Sequence, residues 1–306
     1  LGGRWQAAIA TTALANGNLR TRVDATGTVQ GSSLQPVARL PANAALTGST
    51  AWSGSLDVER NVDPNLPARG TARLSSELRG IASALPEPFA KSADSVRPLS
   101  LAVSFDGKSG PRIEGSLGRD VNALLQWRSG VEKSPVERGI VAFGGAIPDS
   151  LPKTTGLWVS GRVEYASLTK LLDLKWDEPR GRPIQEWIGG ADLTVDRFEA
   201  LGYSFNNVSG RLRPGKRAWD VTVNGSAVSG RVTVPFTFPG EVPMVIELDR
   251  LHFGEQAPGI GERPDPDPRQ LPAIRVDIGD FIFDKRSFGH VEAELARGMA
   301  GMTLNR

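Results

Sequence analysis

The sequence has no cysteine, which excludes disulfides, thiolate metal sites and cysteine nucleophiles. It has only two histidines, His252 and His290, so a histidine-rich metal site is not expected. Aromatic residues make up 7% of the chain, fewer than a sugar-binding cleft usually needs. No apolar run reaches the roughly 18 residues that a membrane-spanning helix requires. Neither sign of charge dominates, with 36 Lys+Arg against 34 Asp+Glu. The basic residues stand singly beside acids (Arg20, Arg22, Arg73, Arg211, Arg213), and not in the clusters of a nucleic-acid binder. Helical patterns are scarce too.

What the 306 residues do have is alternation. From Leu19 to Val29 the odd positions are Leu, Thr, Val, Ala, Gly and Val, while Arg20, Arg22 and Asp24 take the even ones. A period of two is the signature of a strand with one dry face. It recurs in Leu99-Leu101-Val103-Phe105, Ile113-Gly115-Leu117, Leu157-Val159-Gly161-Val163 and Trp219-Val221-Val223. It returns in Val228-Gly230-Val232-Val234, Met244-Ile246-Leu248 and Ile274-Val276-Ile278. The phase slips after Asp249-Arg250 and after Gly279-Asp280, which predicts two β-bulges. A strand from Leu19 to Gly31 would span roughly 40 Å. Asn16-Gly17, Asp106-Gly107, Pro214-Gly215 and Asn224-Gly225 mark the hairpins.

The expected fold is all-β with minor α: long antiparallel strands in a curved, twisted sheet forming a groove with an apolar inner face. Residues 1–306 read as one continuous segment. A helical insertion is expected at 165–190, built on Ser167 to Trp176 and a short turn near Pro183 to Gly189. Leu78 to Leu85 is a further helix candidate. A Pro-rich loop spans 254–271 and reads as an extended crossover, because proline at every second position cannot pair inside a sheet. The absence of an initiator Met and the strand-like run before Asn305-Arg306 lead us to expect a piece of a longer protein.

Catalytic patterns fail one by one. Val228-Ser229-Gly230 lies within a strand, not at a nucleophile elbow. Gly259-Ile260-Gly261 has no helix after it. Glu262, Asp265, Asp267 and Asp280 lack EF-hand spacing and read as a solvated acidic loop. Paired carboxylates for glycoside hydrolysis remain open from sequence. His252 sits out of phase with Leu251 and Phe253 and reads as a strand residue.

Several blocks carry a family resemblance. One is Leu78-Arg79-Gly80-Ile81 through Leu85-Pro86-Glu87-Pro88-Phe89-Ala90-Lys91, then Arg97-Pro98-Leu99. A second is Trp219-Asp220-Val221 through Val228-Ser229-Gly230-Arg231-Val232-Thr233-Val234-Pro235. A third is Leu248-Asp249-Arg250-Leu251, then Asp267-Pro268-Arg269-Gln270-Leu271-Pro272, Val276-Asp277-Ile278-Gly279-Asp280-Phe281 and Phe288-Gly289. In order and spacing they resemble the YhdP-like branch of the AsmA-like envelope proteins, over residues 70 to 306.

The resemblance implies a non-enzymatic segment of a bridge-like phospholipid transporter. It implies a periplasmic location in a Gram-negative bacterium, with an inner-membrane anchor outside this chain. The partners would be phospholipid, the two membranes through flanking regions, and another copy at an edge strand, with no nucleic acid. No cofactor, metal or catalytic residue is implied. The dry strand faces would line the groove: Leu99, Leu101, Val103, Ile113, Leu117, Leu157, Val159, Trp219, Val221, Val223, Ile246, Leu248, Ile274, Val276 and Ile278. Strand parity alone fits two other readings, a structural or adhesive β-scaffold and a carbohydrate-active β-enzyme.

Overall fold

A computed structural model describes residues 3–35, 40–128, 136–146, 148–175, 187–237, 242–254, 273–298 and 301–304. The chain divides into two compact units. The first holds Leu1–Ser160 and Asp173–Trp187, the second Gly161–Leu172 and Ile188–Arg306.

The first unit is an antiparallel meander. Its strands are β1 (Trp5–Ala13), β2 (Leu19–Gln30), β3 (Leu46–Arg60), β4 (Arg69–Ser76), β5 (Ile81–Ser83), β6 (Leu99–Phe105), β7 (Arg112–Leu117), β8 (Val121–Trp127) and β9 (Val136–Phe143). Each pairs with the next, except that β4 pairs with β6 and the short β5 adds to the start of β3. A four-residue helix, α1 (Gly31–Leu34), follows β2. β10 (Gly156–Ser167) begins in this unit.

The hairpins form where the sequence marks them. Gly17 takes φ +83 between β1 and β2. Gly107 takes φ +70 between β6 and β7, where the Asp106 carboxylate accepts from the backbone N–H groups of Lys108 (2.9 Å) and Ser109 (2.8 Å). Aspartate and glycine suit this turn because one satisfies backbone donors and the other tolerates a left-handed conformation.

The stretch from Leu78 to Leu85 is not a helix. Leu78 and Gly80 both have positive φ (50 and 92), and Ile81–Ser83 form β5. Two glycines explain this. A Cβ on Gly48 would lie 1.9 Å from the Gly80 carbonyl oxygen, and a Cβ on Gly80 would lie 2.2 Å from that of Ser49. Only glycine lets the two backbones approach so closely, and that contact sets β5 against β3.

The second unit contains α2 (Leu168–Leu172), β11 (Ile188–Ala200), β12 (Tyr203–Pro214), β13 (Ala218–Asn224), β14 (Val228–Pro235), β15 (Met244–His252), β16 (Ile274–Phe283), β17 (Arg286–Gly298) and β18 (Gly301–Leu304). Ser167 precedes α2 as expected, but the helix stops at Leu172, and 176–186 lie outside the described residues. From β11 to β18 consecutive strands pair antiparallel, with one exception. β15 and β16 run parallel, with Ile246 opposite Val276 and Leu248 opposite Ile278. An all-antiparallel sheet is therefore corrected at this step. Parallel neighbours need a connection of about a dozen residues or more. The Pro-rich segment supplies that length, although 255–272 lie outside the described residues.

Both expected bulges are present. Ser229 pairs with Arg250 and Gly230 with Leu248, leaving Asp249 as the extra residue. On β16 the register slips between Ile278 and Phe281, at Gly279-Asp280. The two irregularities are neighbours, because Leu248 aligns with Ile278 and Arg250 with Asp280.

Glycine also shapes the dry face of the first unit. Gly139 of β9 lies opposite Leu125 of β8. A Cβ there would lie 2.5 Å from Leu125 Cδ2 and 3.2 Å from Leu157 Cδ1. Both neighbours fold over the glycine. Gly139→Val is therefore expected to destabilise the chain by about 1–3 kcal/mol, as overpacking does. Hydrogen exchange read across β8 and β9 checks this, and protection there equal to that of wild type would refute it.

Candidate functional site: the apolar strand faces

Strand pleating and register together decide which side chains share a face. In the first unit they build three cross-strand rows. The first runs Ile9, Val23, Leu56, Ala72, Val103, Ile113, Leu125, Gly139. The second runs Ala7, Ala25, Gly54, Leu74, Leu101, Gly115, Ala123, Val141. The third contains Leu99, Leu117, Val121 and Phe143, with Trp5, Gly27 and Trp52 at the β1–β3 side. Every member of the first two rows is apolar or glycine, while Ser76 stands opposite Leu99 in the third. Five sequence-predicted lining residues (Leu99, Leu101, Val103, Ile113, Leu117) fall in these rows. Leu157 joins them through its approach to Gly139, and Val159 shares its parity.

Large side chains lie flat across this face. Leu101 Cδ2 would be 2.9 Å from a Cβ on Gly115, and Phe105 Cζ 2.7 Å from one on Gly70. At Gly27 the close atoms are the Arg4 carbonyl oxygen (2.7 Å) and Trp5 Cβ (2.8 Å), so there it is the backbones that approach. Gly115 and Gly70 each sit directly opposite the residue that covers them.

One end of the face is closed. Phe89 packs edge-on against Phe143, with ring centroids 5.9 Å apart. Ile81, Ala44, Val29 and Thr50 are buried there. Lys91 Nζ donates to the carbonyls of Ile81 (2.8 Å) and Ser92 (2.9 Å), and burial holds its pKa below the usual lysine value. Arg97 ties the same segment to Asp120 at 2.8 Å. The Pro-rich block Leu85 to Lys91 is thus part of the cover over this end.

The second unit repeats the design. One row runs Leu212, Val221, Val232, Ile246, Val276, Ala293. The next runs Gly210, Val223, Gly230, Leu248, Ile278, Val291. Trp219 pairs with Val234, and Ile274 lies between Met244 and Leu295. All eight predicted lining residues of this unit share one face.

Of the fifteen predicted residues, Leu248 (7% exposed) and Ile278 (6%) are buried, and the other thirteen remain part-exposed.

Several apolar features escaped the sequence reading. Leu124 is fully buried on the opposite face of β8, near buried Asn122 and Ala142. That face should have been wet by parity, and here it is dry too. Strand β8 reads VNALLQW, and its consecutive leucines were the available signal. In the second unit Ala200, Phe205 and Val208 form a buried cluster with Leu168, Phe198, Tyr203 and Phe253 packed on it. Asn207, at φ +50, reverses the strand parity between Val208 and Phe205 and keeps both inward. Phe253 then gathers a group of rings, with centroids at 4.5 Å to Tyr203, 5.8 Å to Phe283 and 6.0 Å to Phe281.

The polar faces are held by ion pairs across strands. Arg20 bonds Asp57 through two nitrogens, Arg69 bonds Glu59 at 3.0 Å, and Arg213 bonds Asp192 at 2.7 Å. The Arg20 hydrogen bond holds the Asp57 carboxyl below its usual pKa. At Asp192 burial pushes the pKa up, but bonds from Arg213 and Arg211 outweigh it and the net shift is downward. Of two open depressions in the first unit, one is rimmed by Arg22, Asp24, Arg73, Ser53, Ser75 and Ser100, and the other by Arg20, Asp57, Glu59 and Arg69. The first also borders Ala7, Ala25, Gly54 and Leu74 of the second apolar row. His252 is half-buried and bonded to Asp280 at 2.6 Å.

The comparison with protein families decides the relationship. The chain matches the YhdP protein family over residues 1–306. It belongs to the YhdP family. This match covers the first 70 residues as well, which carry little of the motif pattern. YhdP membership points to the bacterial envelope. No curated protein and no solved structure matches the chain. Among the described residues, no helix is long and apolar enough to cross a membrane.

Proposed function

We propose that this YhdP-family chain is a non-enzymatic, lipid-conducting segment of a periplasmic phospholipid transporter. In this reading acyl chains are shielded by the apolar strand faces as lipid moves between the inner and outer membranes. The single observation that carries it is the continuity of those faces. Each unit presents apolar rows crossing five or more strands, and most of their side chains stay part-exposed. A one-sided sheet must cover its dry face with something. Acyl chains meet that need without a specific polar site. Each buried methylene contributes about 0.8 kcal/mol, so ten give about 8 kcal/mol.

The partners in this reading are phospholipid and, through flanking regions, the two membranes. Another copy can pair along β1, whose nine uncharged residues are all exposed.

Native mass spectrometry of the chain, purified without detergent, tests the reading. Phospholipid masses are expected on the folded protein. Folded protein free of any lipid would overturn the proposal in favour of a structural scaffold. Glycan cleavage by the purified chain would favour the carbohydrate-active alternative.

A further inference from the structure

The polar face of β15–β17 carries a separate feature. Glu247, Asp277 and Glu292 lie directly opposite one another on three adjacent strands. Like charges in that register normally destabilise a sheet. His290 stands two residues before Glu292 and therefore shares its face. Its Nε2 is 2.9 Å from Asp277 Oδ1 and 3.9 Å from Glu292 Oε1. One donor atom from each of Asp277, His290 and Glu292 falls within a 4.8 Å group, and all three side chains are exposed.

We propose that Asp277, His290 and Glu292 form a binding site for one divalent transition-metal ion of the Zn²⁺ class. The donor set selects the class. An imidazole nitrogen with two carboxylate oxygens suits Zn²⁺ and its borderline neighbours, whereas Ca²⁺ and Mg²⁺ prefer oxygen alone. The scaffold favours it as well. Asp277 and Glu292 are register partners in the β16–β17 ladder, so two of the ligands are held by paired backbone and not by a loop. The bulge at Gly279-Asp280 lies between Ile278 and Phe281, opposite the stretch Gly289 to Val291, and Gly289 adopts φ +68. These irregularities set the level at which His290 faces Asp277. Arg231 faces Glu247 at one end of this row, so a bound dication would act on the repulsion between Asp277 and Glu292, and exposure leaves a coordination position for water. The site does not depend on the lipid reading, since it lies on the opposite face from the apolar rows.

The test uses the chelator-stripped chain of residues 1–306, titrated with ZnCl₂ by calorimetry. One saturable site per chain is expected. His290→Ala and Asp277→Asn each lower its affinity about tenfold or more, on the scale of lost metal-site contacts. His252→Ala leaves it unchanged, because that histidine pairs with Asp280 elsewhere on the sheet. With CuCl₂, electron paramagnetic resonance should show coupling to one imidazole nitrogen that His290→Ala removes. No saturable binding by about 1 mM metal, which is only weak association, would overturn the proposal. So would binding unaffected by His290→Ala, or binding abolished by His252→Ala.

Discussion

Leu101→Glu is expected to strip phospholipid from the first unit while leaving it folded. Leu101 lies mid-row between Leu74 and Gly115 and is part-exposed, so without lipid a carboxylate there stays hydrated. With an acyl chain laid over it, the same carboxylate must lose water without a partner. The penalty for burying an uncompensated charge far exceeds the gain from a few methylenes. Retained lipid should fall about tenfold for each 1.4 kcal/mol of that penalty. Ser100→Glu is the control. It is the adjacent residue, exposed, and its side chain points to the other face because strand side chains alternate. Val221→Glu and Thr222→Glu form the corresponding pair in the second unit. Lipid mass per folded chain is the measurement. Equal retention in Leu101→Glu and Ser100→Glu would mean that the dry face does not hold the lipid.

That contrast works because strand parity was legible in the sequence. The period of two placed Leu99, Leu101 and Val103 on one face, and the observed register places them there as well. The phase slips at Asp249 and Gly279 were legible for the same reason, since an apolar pattern that jumps by one residue needs an extra residue in the ladder. Register itself was not legible. Nothing local says that Gly139 meets Leu125, or that His290 meets Asp277. Those contacts come from pairing partners distant in the chain, which turn geometry and strand length fix only after folding. The parallel step from β15 to β16 was hidden similarly, because a strand's own pattern does not show its direction relative to its neighbour. Leu78 to Leu85 failed for a different reason. Its local pattern permits a turn of helix, but the close backbone approach of Gly48 and Gly80 overrides it. The two dry faces of β8 failed because parity assumes that only one side is covered.

Phe205→Ala should have the largest effect on stability in the second unit. Phe205 is 4% exposed and belongs to the buried cluster with Ala200 and Val208. Its ring centroid is 6.0 Å from that of Phe253, the ring around which the aromatic group is arranged. Truncation removes the ring and leaves a cavity that the paired strands β11 and β12 can collapse into only partly. Phenylalanine-to-alanine changes in such sites cost about 3–5 kcal/mol. Phe288→Ala is the comparison. Phe288 also stacks in the group, 5.6 Å from Phe281, but it is 56% exposed, so its loss leaves little void and removes little buried area. Because the chain has two units, a single unfolding midpoint would mix their responses. Hydrogen exchange read peptide by peptide separates them. Phe205→Ala should accelerate exchange across β11, β12 and β15 while β6–β8 keep wild-type protection. Equal protection losses from Phe205→Ala and Phe288→Ala would show that the buried cluster is not what holds this unit. In that case the cross-strand ladder and the ion pairs of the polar face, such as Arg213 with Asp192, would have to carry its stability, and Arg213→Ala should then be the more damaging change.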